Sequence, residues 1–477
     1  MSKNYRKGKS SSKKNGSENR SFREGNSKPE FKGINSVGES KVANDPSWYN
    51  KNPNLTQAVG NFPFNSILGI PKALPPVMGS DLGASWDREY LNEAYVSQPG
   101  VLGIQWAPSI GRATSPTDPI NVAAQNIFGY IRKENSGYAN YDPCDLMSYL
   151  LAMDSIYAGI AWLKRVYGIA QIYNITNRYV PYAWLEACGM DRGLVQSNLA
   201  QLKATIDVLS SKAASLAVPA SLDYMRRHQY MSSAIYTDVE SFEKSQTYIF
   251  NPVFLWKRDD TNSNLVPISW TEMRDPFVAC ERVNSMLEAV LTSGDCGVIS
   301  GDIRKAYGDS NLWMQSVLPV DYRTPVVYDT GMRSQIENCR AITWSPQTMS
   351  SWTVTQEQTV DLNGYLKFTP TLRTENSACV ISNLVNFHWS NPSAIDVMYA
   401  TRLMPTFEKF EGADDGSDQL FSSIAHLGIT GSEVIVGFAL FDRLDETDPR
   451  LFDSFVFSQD GTISGANFIC NLSAFDW

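Results

Sequence analysis

Histidine is almost missing. The chain has three in 477 residues, His228, His388 and His426, and no two are close in sequence. The motifs that carry most hydrolytic and nucleotide chemistry are missing too. There is no HExxH, GxSxG, complete Walker A or GxGxxG, and no Gly-Asp-Asp. Gly8-Lys9-Ser10 has the tail of a phosphate loop without its upstream glycine, strand or helix. No catalytic residue, metal site or cofactor is therefore expected. The seven cysteines are scattered and odd in number, and no CxxC occurs, which excludes a disulfide framework and a zinc ribbon and points to reduced, mostly buried thiols. No apolar run follows the charged N-terminus, so a secretory signal is not expected. No repeat of fixed period is found.

One run, Leu146–Leu163, has the length of a membrane span, but Asp154 sits at its centre and Lys164 and Arg165 follow it. A mid-bilayer Asp costs about 2.5–3.5 kcal/mol. A buried helix at the centre of a large domain is expected instead, and no membrane span.

What is present is a charge split. The net charge is −9, yet residues 1–44 carry +7 and the remaining 433 residues −16. Residues 1–44 hold eight apolar residues against twenty Ser, Gly and Asn, too few to offset the entropy of ordering, so a disordered arm is expected. Its cations Lys3, Arg6, Lys7, Lys9, Lys13, Lys14, Arg20, Arg23, Lys28 and Lys32 are one to six residues apart. That spacing suits sequence-independent contact with RNA phosphates. The bland reading is a solubilising tail or a localisation signal. Only Tyr5, Phe22 and Phe31 could stack on bases.

Residues 45–120 contain ten of the 24 prolines and read as an extended segment that wraps a surface. Residues 121–310 read as helical. One helix is expected from Asp118-Pro119 to Gly137. A second runs from Asp142, as N-cap before Pro143, to about Tyr167 with Gly168 as its stop. Further helices are expected over Pro181–Cys188, through Leu194, Leu199, Leu202, Ile206 and Leu209, over Pro219–Met231, and from Pro276 to a stop at Gly294. Thr247–Trp256 reads as a strand. Residues 311–477 are more β-like, with hairpins turning at Asn363-Gly364 and Asp460-Gly461 and a buried strand at Val434–Phe441. The fold class is α+β.

Two titratable residues stand out. Asp154, inside its apolar helix, is expected to hydrogen-bond a Tyr, a Trp or backbone, with titration at a raised pKa as the alternative. His228 is expected as a surface or capping residue rather than a general base. A pocket uniting it with a perturbed carboxylate would point to an enzyme. Asp414–Asp418 reads as a solvated acidic loop, with a metal at a subunit contact as the alternative. Trp, Tyr and Phe make up 12% of the chain, which suits large cores and assembly interfaces.

Several blocks resemble picobirnavirus capsid proteins: Asn44–Leu55, Pro99–Gly111, Asn121–Gly168, Asn177–Leu185, Tyr224–Asp238 and Ser245–Phe250. The resemblance covers roughly residues 44–250. It implies a predominantly α-helical shell domain, a second domain that projects outward and an internal basic arm; the sequence pattern alone places these at 121–310, at the β-richer 311–477 and at 1–44. The resemblance also implies symmetric dimers that close into a small icosahedral shell around double-stranded RNA, located in the virion and assembled in host cytoplasm. A non-viral RNA-binding scaffold with a basic tail is the alternative.

Overall fold

In a computed structural model of the chain, the described residues are 72–73, 95–96 and 101–470, without 138, 173–179, 241–245, 260, 272, 342–345, 360–361, 371–384, 388–390, 405, 411–424, 430, 444–448 and 456–466. They all belong to the second of two units, Phe64–Trp477.

The first strands are β1 (Lys72–Ala73), β2 (Tyr95–Val96) and β3 (Val101–Pro108). Helices follow: α1 (Pro119–Glu134), α2 (Pro143–Ala170), α3 (Val180–Ala187), α4 (Arg192–Ser197), α5 (Leu199–Ala214) and α6 (Asp223–Ser233). Then come β4 (Ile235–Thr237), β5 (Thr247–Pro252), β6 (Phe254–Arg258), β7 (Leu265–Ser269), α7 (Pro276–Leu291) and α8 (Gly294–Tyr307). The C-terminal part holds β8 (Val326–Val327), α9 (Thr330–Glu337), β9 (Thr355–Thr359), β10 (Leu362–Lys367), α10 (Ala394–Ala400), β11 (Thr406–Phe410), β12 (Ala425–Ile429), β13 (Glu433–Arg443), β14 (Pro449–Phe455) and β15 (Asn467–Cys470). The α+β class holds, with helices concentrated before residue 310 and strands more frequent after it.

The fold is built around α2. Proline opens it without wasting a donor, and the Asp145 carboxylate reaches back to the Asp142 N–H at 3.1 Å. Every residue of α2 except Asp145 and Ala170 is buried. Among the described helices it alone is long and apolar enough to cross a membrane, and the protein interior covers it completely. Several of its polar side chains end on the backbone of surrounding segments. Tyr149 donates to Ala217 O, Tyr157 to Trp313 O, and Ser148 to Ser263 O. Arg165, fully buried, donates to Met231 O and Phe250 O. Irregular segments thus acquire hydrogen-bond partners where strands would have found them in each other.

One six-stranded sheet, ordered β14-β13-β3-β5-β4-β8, lies beside these helices. Strand β3 runs parallel to β5 and antiparallel to β13. Its side chains alternate between faces, with Val101 and Ala107 in the helical core and Ile104 and Trp106 in a smaller apolar cluster on the other side. On β13 the same division is kept by a register shift between Ile435 and Gly437, which brings Phe438 onto the face of Ile435. Sheet strands come from both sides of residue 310, and Trp352, Val354, Leu366 and Phe368 sit in the main core. Asn121 of α1 also spans that distance in sequence. Its amide donates to Leu366 O at 3.0 Å and accepts from Leu366 N at 2.8 Å, as a strand neighbour would.

Several elements depart from the sequence expectation. Helix α2 passes through Gly168 instead of stopping. A Cβ there would lie 2.5 Å from Thr324 Oγ1, so the glycine serves close approach of the 322–324 segment. Asn363-Gly364 lies inside β10 rather than at a turn, and a Cβ at Gly364 would meet Cys144 Sγ at 2.9 Å. The expected single strand over Thr247–Trp256 divides at Val253, where Pro252, without an N–H, closes β5 and the chain moves to pair with β7. The leucine-spaced helix breaks at Asn198 into α4 and α5. Helix α6 starts at Asp223, not Pro219, and Gly294 opens the unexpected α8. Phe455 ends β14, and the turn expected at Asp460-Gly461 lies outside the described residues.

Candidate functional site

Helix α6 carries two adjacent polar residues, Arg227 and His228, into the interior between α2, α9 and the sheet. His228 Nδ1 is 2.7 Å from Asp154 Oδ2 of α2, and the two residues are 1% and 2% exposed. The rings of Tyr224 and Trp106 flank the imidazole at 4.4 and 4.8 Å. Burial pushes the Asp154 carboxyl above its usual range, and the His228 contact opposes that push. Sequence expectation is corrected twice here. The histidine is not a surface or capping residue, and the partner of Asp154 is neither Tyr, Trp nor backbone.

Arg227 points the other way. Its Nε donates to Glu433 Oε1 at 2.7 Å and its Nη2 to Gln335 Oε1 at 2.8 Å. Arg402 Nε donates to the same Glu433 oxygen at 3.1 Å, and Ser432 Oγ to Glu433 Oε2 at 2.6 Å. Burial alone would raise the Glu433 carboxyl. Arg227, Arg402, the nearby His228 and the Ser432 hydroxyl override it and hold the group below the usual carboxylate range. One helix therefore ties α2, α9 and the first residue of β13 through two neighbouring buried pairs.

A carboxylate of raised pKa does meet His228, and both residues are buried. A cavity of about 390 Å³ lies elsewhere, lined by Leu102, Tyr248, Arg333, Ile336, Arg340 and Phe438 among others. Among the described residues no group of three or more His, Cys, Asp or Glu could hold a metal. Cys144, Cys188, Cys280, Cys296 and Cys339 are free and buried, and burial pushes the Cys144 and Cys280 thiols up to about 12.

Lys164 and Arg165 had looked like charges flanking an apolar run. They are instead 9% and 0% exposed. Lys164 Nζ donates to Gln315 Oε1 at 3.0 Å and to Ser316 O at 2.6 Å. Burial pulls its pKa down to about 8, against the pull of Asp207. The buried network of Arg227, Gln335, Arg402 and Glu433 was not anticipated.

The arm cations Lys3, Arg6, Lys7, Lys9, Lys13, Lys14, Arg20, Arg23, Lys28 and Lys32 lie outside the described residues, as do Asp414–Asp418 and His388. His426 lies on β12.

The family model for the picobirnavirus capsid protein matches residues 48–441. The chain belongs to the picobirnavirus capsid protein family. The match runs far beyond Phe250, where the resemblance of sequence blocks ends. The capsid protein precursor of a human picobirnavirus (strain Human/Thailand/Hy005102/-) is 29% identical over 482 residues, covering 94% of this chain and 85% of the relative. The crystallographic structure of the picobirnavirus capsid matches this fold with a TM-score of 0.66 at 23% identity, over 88% of this chain and 86% of that one. This capsid protein is thus a structural component of the virion, and its working form is an oligomeric shell.

Proposed function

We propose that this capsid protein assembles through dimers into a small closed icosahedral shell and packages double-stranded RNA through its basic N-terminal arm, without catalysis. The observation that carries the reading is the division of charge at residue 44, +7 before it and −16 after it, in a chain of a capsid family. A polyanionic genome is attracted to the first segment and repelled by the second, so the arm faces the RNA and much of the acidic surface faces outward or lines subunit contacts. Lys3, Arg6, Lys7, Lys9, Lys13, Lys14, Arg20, Arg23, Lys28 and Lys32 make phosphate contacts without reading sequence. Assembly takes place in host cytoplasm.

Part of residues 311–477 projects from the shell. That β13 and residues 352–368 share the core and sheet built around α2 supports a division between shell and projection within that segment rather than at residue 310.

Negative-stain microscopy and sedimentation of the purified chain test the assembly. Closed particles are expected, and a monomer or lone dimer across salt and pH would contradict it. If about seven net charges engage duplex RNA, log K should fall against log salt with a slope of about −6.

A further inference from the structure

Residues 312–320 (Leu-Trp-Met-Gln-Ser-Val-Leu-Pro-Val) carry no charge and form a strap alongside the C-terminal half of α2. The strap's burial repeats every three residues. Leu312, Gln315 and Leu318 face inward at 7%, 9% and 3% exposure. Met314, Val317 and Val320 face outward at 52%, 59% and 77%. Three residues per turn is the period of an extended polyproline II chain, which makes no hydrogen bonds of its own. Here α2 and α5 supply them. Trp313, Ser316 and Val320 carbonyls accept from Tyr157, Lys164 and Tyr167, and the Leu318 N–H donates to Asp207 Oδ1.

The outward edge is therefore an apolar stripe held rigid from behind. Single exposed apolar residues are ordinary, but a stripe on a pinned, uncharged segment is the pattern of an interaction site. Its rigidity lowers the ordering cost of docking. An RNA partner would need cations, and the strap has none. The working form of a capsid protein is a shell of many copies of one chain, so the occupant with the right chemistry is another copy. We infer that the stripe Met314, Val317 and Val320 is a contact between subunits of the shell.

This inference rests on the proposed assembly, and one experiment separates the two. The full chain and a Val317→Asp, Val320→Asp variant are compared by sedimentation, with Val298→Asp on α8 (43% exposed in the parent) as a charge control. Unchanged circular dichroism and melting show that each variant folds. If the parent forms no particles, the assembly reading itself fails. If parent and control form particles and the double variant sediments at least tenfold less into the particle fraction, the contact is supported. Equal assembly of the double variant overturns it. A benzophenone amino acid in place of Val317 then identifies the occupant in assembled particles. An adduct of two chains supports the inference. An adduct to RNA, or to another segment of the same chain, overturns it.

Discussion

His228 Nδ1 and Asp154 Oδ2 are 2.7 Å apart, with both side chains sealed from water. Removing one partner of such a pair leaves the other buried and unmatched, a loss of about 3–5 kcal/mol where the pair is ionic. His228→Ala should lower the urea midpoint markedly. Asp154→Asn retains an acceptor for the imidazole and should cost much less. Equally large losses in the two variants would mean that the negative charge of Asp154, and not its acceptor oxygen alone, holds the imidazole.

Asp154 also predicts a pH effect. Burial raises its folded pKa above the ordinary 3.8 despite His228. The folded form therefore holds the proton more tightly than the unfolded chain. The stabilisation is complete below about 3.8 and is lost as pH rises through the folded value. The stability of the parent relative to Asp154→Asn should thus decline as pH rises from 4. Urea titrations of both proteins across pH 4–8 check the sign.

Glu433 behaves oppositely. Its folded pKa is depressed below the ordinary 4.5 because Arg227 and Arg402 outweigh burial. Its stabilisation is present above about 4.5 and is lost as pH falls toward the folded value. Glu433→Gln leaves two guanidiniums without their anion and should cost about 3–5 kcal/mol at neutral pH. The variant should also flatten the acid limb of the stability curve, which melts at pH 3–7 would reveal.

Lys164 has the sign of Glu433, in a higher pH window. Its folded pKa is about 8 against 10.5 for a free lysine, because burial disfavours the cation. Between those values the unfolded chain binds the extra proton, so this residue makes the fold more stable as pH rises from 8 to 10.5. The stability of the parent relative to Lys164→Met should grow over that range. A constant difference would show that Lys164 titrates normally.

Two glycines should respond in opposite ways. Gly168→Ala drives a methyl into Thr324 and should destabilise by about 1–3 kcal/mol despite alanine's helix propensity. Gly129 lies in α1 with nothing near its added Cβ, so Gly129→Ala should stabilise by about 0.5–1 kcal/mol. Thermal melts of both variants suffice.

Local rules located what local chemistry decides. Asp142-Pro143 opens α2, Asp275-Pro276 opens α7, and the apolar run around Asp154 is buried. Gly168 and Asn363-Gly364 carried stop and turn signals, but tertiary approach by Thr324 and Cys144 is what requires glycine there. His228 could not be placed from its basic neighbours, because its partner Asp154 is 74 residues away. Glu433 is likewise 206 residues from Arg227. Such pairs are products of the fold and leave no spacing to read.

In the proposed function the arm holds the genome. The most direct measurement is RNA content per particle, from absorbance and mass, for the parent and for a chain with Lys3, Arg6, Lys7, Lys9, Lys13, Lys14, Arg20, Arg23, Lys28 and Lys32 all replaced by Gln. Particles of normal size with sharply reduced RNA are expected. Particles with undiminished RNA would contradict the account.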